Sequence, residues 1–263
     1  MAVPTPLRAA LLAAWGTAFL QGVSVVDEAV AEVEGADEPH LVVTDTIGSP
    51  DELAEGLAAM AERGVTGLRL ALPAPGDLLG LLGPASFNAA ALSAGEAVIA
   101  VDASAPGGHS VLALVPNVTT FGTPGDQGHC VTWRTMMAAA GRPDVPTVAE
   151  ADRELRDVMR ASTEALSSFG ITSWASDARE TASQLRAGTR RVALPSVAGP
   201  RAETLLHRSL TVLAISDASR SDTGASLTSF AAEARLSALI PLERAARRGL
   251  VAAAGACLET VRH

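Results

Sequence analysis

Pro146-Thr147-Val148-Ala149-Glu150 is the stretch that decides the fold, because the hydrophobic pattern changes on either side of it. Thr147 and Glu150 have the spacing of a capping box, in which each side chain binds the other residue's backbone N–H at a helix start. Before this stretch, short apolar runs alternate with glycine and proline turns; after it, apolar residues recur with helical spacing. The sequence therefore predicts an α+β fold, with a sheet domain at 1–146 and an all-helical domain at 147–263.

The first half has the pattern of a mixed β-sheet with flanking helices. Helices are expected at 6–20, 24–33, 49–62 and 85–94, and strands at 40–44, 66–72, 97–101, 110–115 and 129–136. Ser49 and Pro50 have the residue types of a helix cap and a first helical position, so they are taken as the start of the third helix. The sheet is then expected to contain about five strands.

The second half predicts an antiparallel helical bundle. One helix follows the capping box, a second is expected at 173–187, a third from Pro200 to about Ser216, and a fourth from Thr223 almost to the end. Helices joined by short links pack as antiparallel neighbours. Pro241 falls inside the last helix and is expected to kink or split it, because proline lacks the backbone N–H.

The composition excludes several classes of enzyme. The chain has 20 basic residues, all of them arginine, and no tyrosine. A P-loop, a pyridoxal phosphate Schiff base and a protein kinase site all require lysine. Arginine-only, alanine-rich usage is typical of a high-GC bacterial coding sequence. No motif indicates a cofactor, and none is predicted.

The charge distribution argues against a nucleic-acid partner. The net charge is -9, which is unfavourable for binding phosphates through charge neutralisation. Residues 1–146 carry 16 acidic residues and 5 arginines, a net charge of -11, while residues 147–263 carry a net charge of +2. The second half therefore holds the basic residues available for local anion binding.

The cysteines and the apolar runs favour a cytoplasmic protein. Cys130 and Cys257 are far apart, and two thiols in a chain of 263 residues do not form a disulfide framework. Residues 9–20 form an apolar run with the length of a signal peptide, but no clear cleavage site follows, so the run is interpreted as a first helix. It is also shorter than the ~20 apolar residues that cross a membrane, and no membrane partner is expected.

The first candidate site is the glycine-rich segment 117–128 with the residues around it. Long loops in compact domains are often functional, and a cysteine near a histidine can act as a nucleophile. His129 and Cys130 point to opposite faces if they lie on a strand, so His109 is the better partner for Cys130. The alternative is that Cys130 is a small buried apolar residue and that the histidines are capping or exposed.

Two further sets of residues carry chemistry in this half. His109, His129, Cys130 and Asp126 are possible metal ligands, but their spacing matches no compact zinc motif, and no metal is predicted. Arg69 and Arg134 alternate with apolar neighbours on strands, and such a pair can grip a small anion. The alternative for both arginines is an exposed position near acidic residues.

Asp102 ends an apolar strand, where sheets often present functional groups. It is also suited to capping the turn that follows.

The scarcity of catalytic residues favours a non-catalytic interaction or assembly protein, which we expect to self-associate. Alanine-rich helices that allow close packing support this hypothesis. The alternative is a small-ligand or anion-binding protein, or an enzyme, with a pocket near residues 117–134. The pocket hypothesis requires the side chains of that segment to converge on one concavity, and the interaction hypothesis does not.

Overall fold

A six-stranded sheet lies at the centre of the first half of the chain. The computed structural model describes residues 7–43, 49–102, 110–123, 126–141, 144–168, 192–221 and 229–259. The strands are β1 Leu41–Val43, β2 Asp51–Glu52, β3 Val65–Ala71, β4 Ala97–Asp102, β5 Ser110–Thr123 and β6 Asp126–Ala139. Their order across the sheet is β2-β1-β6-β5-β4-β3. β1 and β6 are parallel and all other neighbours are antiparallel, which confirms the predicted mixed sheet.

Four helices cover the two faces of this sheet. They are α1 Leu7–Leu20, α2 Val26–Glu34, α3 Leu53–Glu62 and α4 Ala85–Ala94. α1 and α3 pack on the face to which Leu68 and Leu70 of β3 point, and α2 packs against α1 and α3. α1 approaches β3 closely at Gly16, where an added Cβ would collide with Leu68 Cδ1 at 2.5 Å. The absence of a side chain at this glycine therefore sets the distance between helix and sheet.

The opposite face of the sheet packs against α4. Phe87 and Ala91 of that helix are fully buried against apolar side chains of β3 to β6. These side chains are Ala71, Ala97, Ile99, Val111, Ala113, Val115 and Ala138. β4 is buried at residues 97–100 and β5 at residues 113–116, so these parts of the two strands are covered on both faces, as their apolar sequences indicated.

The predicted start of α3 at Ser49 and Pro50 is wrong. The helix begins at Leu53, and Glu52 is its N-cap. Glu52 and Glu55 form a capping box in which Glu55 Oε2 accepts from the backbone N–H of Glu52 at 3.2 Å. Asp51 and Glu52 instead form the short strand β2, which raises the strand number to six. A capping box built from two glutamates, without serine or threonine, is the reason that the start was misplaced.

Both outer edges of the sheet are protected against further pairing. At one edge, Thr17 of α1 accepts the backbone N–H of Leu68 at 2.9 Å through its hydroxyl, which also lies 2.6 Å from the carbonyl of Ala13. Gly67 of the same strand contacts Thr17 and Leu258 so closely that no side chain fits there. At the other edge, β2 has only two residues, and both are exposed acids. Short, charged or covered edges are the usual means of preventing strand addition.

The second half forms a separate compact unit of helices. The helices are α5 Val148–Ser168, α6 Gly199–Ser221 and α7 Ser229–Glu259, and a 3-10 turn, Ser196–Ala198, precedes α6. Residues 194–199 and 254–259 belong to the sheet unit, and residues 146–168, 200–221 and 229–253 to the helical unit. The helix predicted at 173–187 lies outside the described residues. α7 is continuous past Pro241, so the proline does not split it.

Contacts within the helical unit define its directions. Ser162 of α5 donates to the carbonyl of Ala238 at 3.1 Å, and Glu154, earlier in α5, binds Arg248, later in α7, at 3.1 Å. α5 and α7 are therefore antiparallel. Arg220 near the end of α6 binds Glu243 at 2.6 Å, while Ser209 contacts Gly249 (α7), so α6 and α7 are antiparallel as well.

The capping box that decided the fold is present. Glu150 Oε2 accepts from the Thr147 backbone N–H at 2.9 Å, and the Thr147 hydroxyl accepts from the Glu150 N–H at 3.3 Å. Asp152 and Arg156, one turn apart, form the expected ion pair at 2.6 Å.

Candidate functional site

A long β-hairpin of β5 and β6 occupies the segment that was predicted to be a loop. The two strands pair without interruption from Ser110 with Ala139 to Thr123 with Asp126. The prediction that 117–128 is a loop is therefore wrong. Pro116, Gly122 and Gly128 suggested a break, but valine, threonine and phenylalanine between them favour a strand, and pairing with β6 holds them in register.

The outer part of this hairpin extends past both neighbouring strands. β4 pairs with β5 only at Leu114 and Ala113, and β1 pairs with β6 only at residues 132–134. Residues 117–123 are all exposed, including Phe121, which has 45% of its surface accessible. The ring of Phe121 lies over Gly128 on the paired strand, where a side chain would overlap it. We call residues 117–123 and 126–131 the ribbon.

The edges of the ribbon are not equivalent. The backbone N–H of Glu38 donates to the carbonyl of His129 at 2.9 Å, so the segment before β1 covers the β6 side as far as His129. On the β5 side, β4 begins at Ala97, and within the described residues no strand pairs with β5 beyond Leu114. The ribbon therefore exposes one long backbone edge, that of β5.

The residues proposed as a nucleophile and its bases lie on this ribbon. Cys130 is half-buried opposite Thr119, and His129 is opposite Thr120, whose hydroxyl lies 3.2 Å from His129 Nδ1. His129 and Cys130 are consecutive in a regular strand, so their side chains point to opposite faces, as the sequence indicated. His109 lies outside the described residues. A hydroxyl, and not the thiol, is thus the partner of His129.

The remaining candidates on the hairpin are far apart. Arg134 shares a strand face with Cys130, is exposed, and has Nη2 3.7 Å from Met136 Sδ. Asp126 lies at the tip of the ribbon, paired with Thr123. Asp126 and Arg134 are eight positions apart, about 27 Å along an extended strand. These side chains are distributed along the hairpin and do not surround one concavity.

Arg69 and Asp102 belong to the other side of the sheet. Asp102 is the last residue of β4 and pairs with Val65. Arg69 of β3 points to the α4 face, where its Nη1 donates to the carbonyl of Gly141 at 2.5 Å. Its Nε is buried and has no hydrogen-bond partner among the described residues. Burial lowers the pKa of Arg69 to about 10. Arg69 is therefore a partly desolvated cation rather than the exposed arginine of the alternative interpretation.

A buried polar network, which the sequence did not predict, lies on the α1 face. Trp133 of β6 is fully buried and donates its Nε1–H to His40 Nδ1 at 3.2 Å. His40 Nε2 lies 3.4 Å from Asp37 Oδ2. Asp37 in turn accepts two hydrogen bonds from Arg8 of α1, at 2.5 and 2.9 Å. The network links β6, the segment before β1 and α1 through side chains that are distant in sequence.

The hydrogen bonds fix the protonation state of this network. Because Trp133 can only donate, His40 Nδ1 must be the acceptor and the imidazole proton resides on Nε2, facing Asp37. Burial lowers the pKa of His40, and the neighbouring Asp37 only partly offsets this effect. Burial would raise the pKa of Asp37, but the hydrogen bonds and charge of Arg8 hold it below its ordinary value. The result is a neutral histidine beside an ionised Asp–Arg pair.

Glu96 is a second buried ionisable group that contacts α1. Only 1% of its surface is exposed, and Oε2 accepts the backbone N–H of Ala9 in the first turn of α1 at 3.1 Å. Burial raises the pKa of Glu96 to about 8, although the Ala9 N–H and the charge of Arg8 oppose the shift. Glu96 therefore holds a proton at neutral pH.

Local sequence pattern gave little signal for these buried groups. His40 and Trp133 are 93 positions apart, and their contact depends on the parallel pairing of β1 with β6. Glu96 offered one clue, because it is a lone carboxylate between Gly95 and the apolar strand β4.

Within the described part of the chain, no three histidine, cysteine or carboxylate side chains form a cluster that holds a metal ion. Among the same residues, no helix has the length and hydrophobicity that crossing a membrane requires.

These observations define an α+β protein in which a sheet unit with a long, exposed hairpin precedes a separate helical unit. The N-terminal domain described as Rv1486c-like protein matches residues 9–150, and the C-terminal domain of the same description matches residues 149–251. The chain belongs to the Rv1486c-like protein family.

Relatives occur in mycobacteria. A Mycobacterium tuberculosis (strain H37Rv) protein described as uncharacterised protein Rv1486c is 28% identical over 206 residues, which are 74% of this chain and 70% of the relative. A Mycobacterium avium protein described as uncharacterised protein MAV321 is 31% identical over 188 residues, 66% of this chain and 58% of the relative. No solved structure matches the chain.

Proposed function

We propose that this protein is a non-catalytic interaction or assembly protein of the cytoplasm and that the ribbon is its binding surface. The observation that carries the proposal is the exposure of residues 117–123 of the ribbon beyond the neighbouring strands. An isolated two-stranded hairpin is only marginally stable in water, so a long, exposed one is best accounted for by a binding role. The division into domains 1–146 and 147–263 is part of the same proposal.

The distribution of reactive side chains supports a non-catalytic role. A nucleophile and its base must approach within hydrogen-bond distance. Cys130, the candidate nucleophile, points to the strand face opposite His129, so His129 cannot accept the proton of its thiol. The free thiols of Cys130 and Cys257 suit the reducing cytoplasm.

The ion pairs of the helical unit argue against a nucleic-acid partner. Arg156 and Arg208 bind Asp152, Arg248 binds Glu154, and Arg220 binds Glu243. Arginines that are neutralised within the unit contribute less to phosphate binding. The surplus of basic residues in this half is therefore partly used to hold the helices together.

Photo-crosslinking in cells tests the proposal. A benzophenone amino acid in place of Phe121 is expected to give a discrete protein adduct. The matched control places the same amino acid at Leu78, which is a similarly exposed apolar residue outside the ribbon. The proposal is supported if the adduct forms at position 121 and not at position 78. The absence of any adduct at position 121, or the same adducts at both positions, would overturn it.

Arg69 supports small-anion binding as a second candidate function. Its buried Nε lacks a partner among the described residues, and a carboxylate or phosphate oxygen would satisfy it with charge-assisted hydrogen bonds. Calorimetric titration with inorganic phosphate is expected to show binding that Arg69→Met abolishes and that Arg134→Met, at an exposed arginine, leaves unchanged. Equal binding by both variants, or none by the unmodified protein, would exclude this site.

A further inference from the structure

The free edge of β5 is the part of the ribbon that can accept another strand. Residues 117–123 pair with β6 on one side, and within the described residues no strand pairs with them on the other. The sheet's two outer edges are blocked, by Thr17 at β3 and by the short acidic strand β2. Among the described residues, the sheet therefore has protection at both outer edges and none at the β5 side of the ribbon.

The composition of this edge favours pairing. Its sequence is Asn117-Val118-Thr119-Thr120-Phe121-Gly122-Thr123, in which five of seven residues are β-branched or aromatic and none is charged. Natural edges that avoid association carry lysine, proline or inward-pointing charges. A seven-residue edge that is exposed, uncharged and rich in strand-forming residues is an association site unless it is occupied.

We propose that the occupant is a second copy of this chain, and that the two β5 edges pair antiparallel about a two-fold axis near Thr119 and Thr120. This inference rests on the proposed function and names its partner. An antiparallel strand that pairs with its own copy places residues of the same strand face opposite each other. Threonine, valine and phenylalanine then meet across the axis, and such cross-strand pairs stabilise sheets.

The charge distribution favours a second copy over a different protein. Residues 1–146 carry a net charge of -11, yet between 117 and 130 Asp126 is the only residue with a formal charge when histidine is counted as neutral. Two copies can therefore approach along this edge with little repulsion between like charges, although the domain as a whole is acidic. A basic partner would gain its affinity from acidic side chains, which this edge lacks.

The size of the contact sets the expected affinity. Seven residues span about 24 Å of strand, and the surface buried by two such edges falls below the roughly 1,600 Å² of a standard interface. The dimer is therefore weak and depends on protein concentration, with a dissociation constant in the micromolar range.

Sedimentation equilibrium of the full chain, from about 1 μM to about 1 mM, tests the inference, because this range brackets the affinity of small interfaces. The unmodified protein is expected to change from monomer to dimer. Thr120→Lys introduces a charge at the edge strand and is expected to weaken the dimer at least tenfold. The matched control, Gln127→Lys, makes the same charge change on β6, the strand on the side of the ribbon away from the proposed interface, and is expected to weaken the dimer less.

Hydrogen exchange locates the interface independently of the variants. The amides of residues 117–123 that point away from β6 are expected to gain protection at high concentration, while those of the covered edge strand β3 do not change. A monomer at every concentration, a dimer without protection at 117–123, or equal effects of the two lysines would overturn the inference. A monomer that still forms a crosslink at Phe121 to another protein would overturn the second copy alone and leave the binding role of the ribbon intact.

Discussion

Glu96→Gln is expected to change the pH dependence of stability more than any exposed carboxylate does. The side chain is buried, accepts the Ala9 N–H, and has a pKa raised to about 8 in the folded protein. In the unfolded chain the same carboxyl returns to about 4.5. Folding therefore binds a proton at every pH between these values, and stability is lost as the pH rises through this interval.

The size of this loss of stability follows from the difference between the folded and unfolded pKa values of Glu96. One pKa unit corresponds to about 1.36 kcal/mol, so a shift of about 3.5 units lowers the free energy of unfolding by up to about 5 kcal/mol between pH 4.5 and pH 8. Glutamine has the shape of the protonated carboxyl and does not ionise. The variant should therefore match the unmodified protein near pH 5 and exceed it by several kcal/mol above pH 8.

Urea unfolding at a series of pH values, followed by the fluorescence of the buried Trp15 and Trp133, measures this difference. Glu62→Gln, at an exposed position at the end of α3, is the control. Its free energy of unfolding should change with pH in the same way as that of the unmodified protein. If the free energy of unfolding of Glu96→Gln also follows that of the unmodified protein at every pH, Glu96 is ionised in the folded state and the reasoning is refuted.

The Glu96→Gln variant also isolates the contribution of His40. Burial lowers the pKa of His40 below its ordinary value of 6.5, so the unfolded chain binds a proton that the folded protein does not. The stability of the variant is expected to be constant just above neutral pH, below the range in which the thiol of Cys257 titrates, and to fall as the pH drops below 6.5. A variant whose stability rises in that range would show that His40 is protonated when folded.

Three further predictions concern the stability contributed by single contacts. Trp133→Phe removes the donor to His40 Nδ1 and is expected to lower the free energy of unfolding by about 1–3 kcal/mol, measured by urea unfolding; an unchanged midpoint would mean that water replaces the indole. Gly67→Val places a side chain against Leu258 and is expected to destabilise the sheet unit by about 1–3 kcal/mol, which lowers the melting temperature. A variant with the same melting temperature as the unmodified protein would show that β3 has room for a side chain at this position. Thr147→Ala removes the N-cap of α5 and should cost about 1 kcal/mol, seen as an earlier loss of helical circular dichroism, whereas restoration by Thr147→Ser identifies the hydroxyl as the cause.

Local sequence rules predicted the elements that local interactions determine. The start of α5 was correct because the Thr147 and Glu150 side chains satisfy their own helix terminus. The alternation of Arg69 with Leu68 and Leu70 gave the faces of β3 correctly, because a strand side chain points to one face or the other. Burial on the arginine face was not predicted, since it depends on α4 and Gly141 from later in the chain.

The errors arose where distant residues decide the structure. Glycine and proline suggested that β5 ends near Pro116, but fourteen cross-strand pairs with β6 continue it to Thr123. The predicted site assumed a loop that folds its side chains together, and an extended hairpin separates them instead. The network of Arg8, Asp37, His40 and Trp133 brings together three chain segments, so no local window contains it.

The hydroxyl of Thr17 has a consequence for how large an assembly can grow. Amyloid-like growth requires each molecule to offer two open backbone edges, one to receive a neighbour and one to pass the pairing on. In the described residues, Thr17 closes one end of the sheet and β2 shortens the other, which leaves the β5 side of the ribbon as the long open edge. Association through that edge therefore stops at two molecules, because each uses its long open edge to pair with the other and a third molecule has no such edge to pair with.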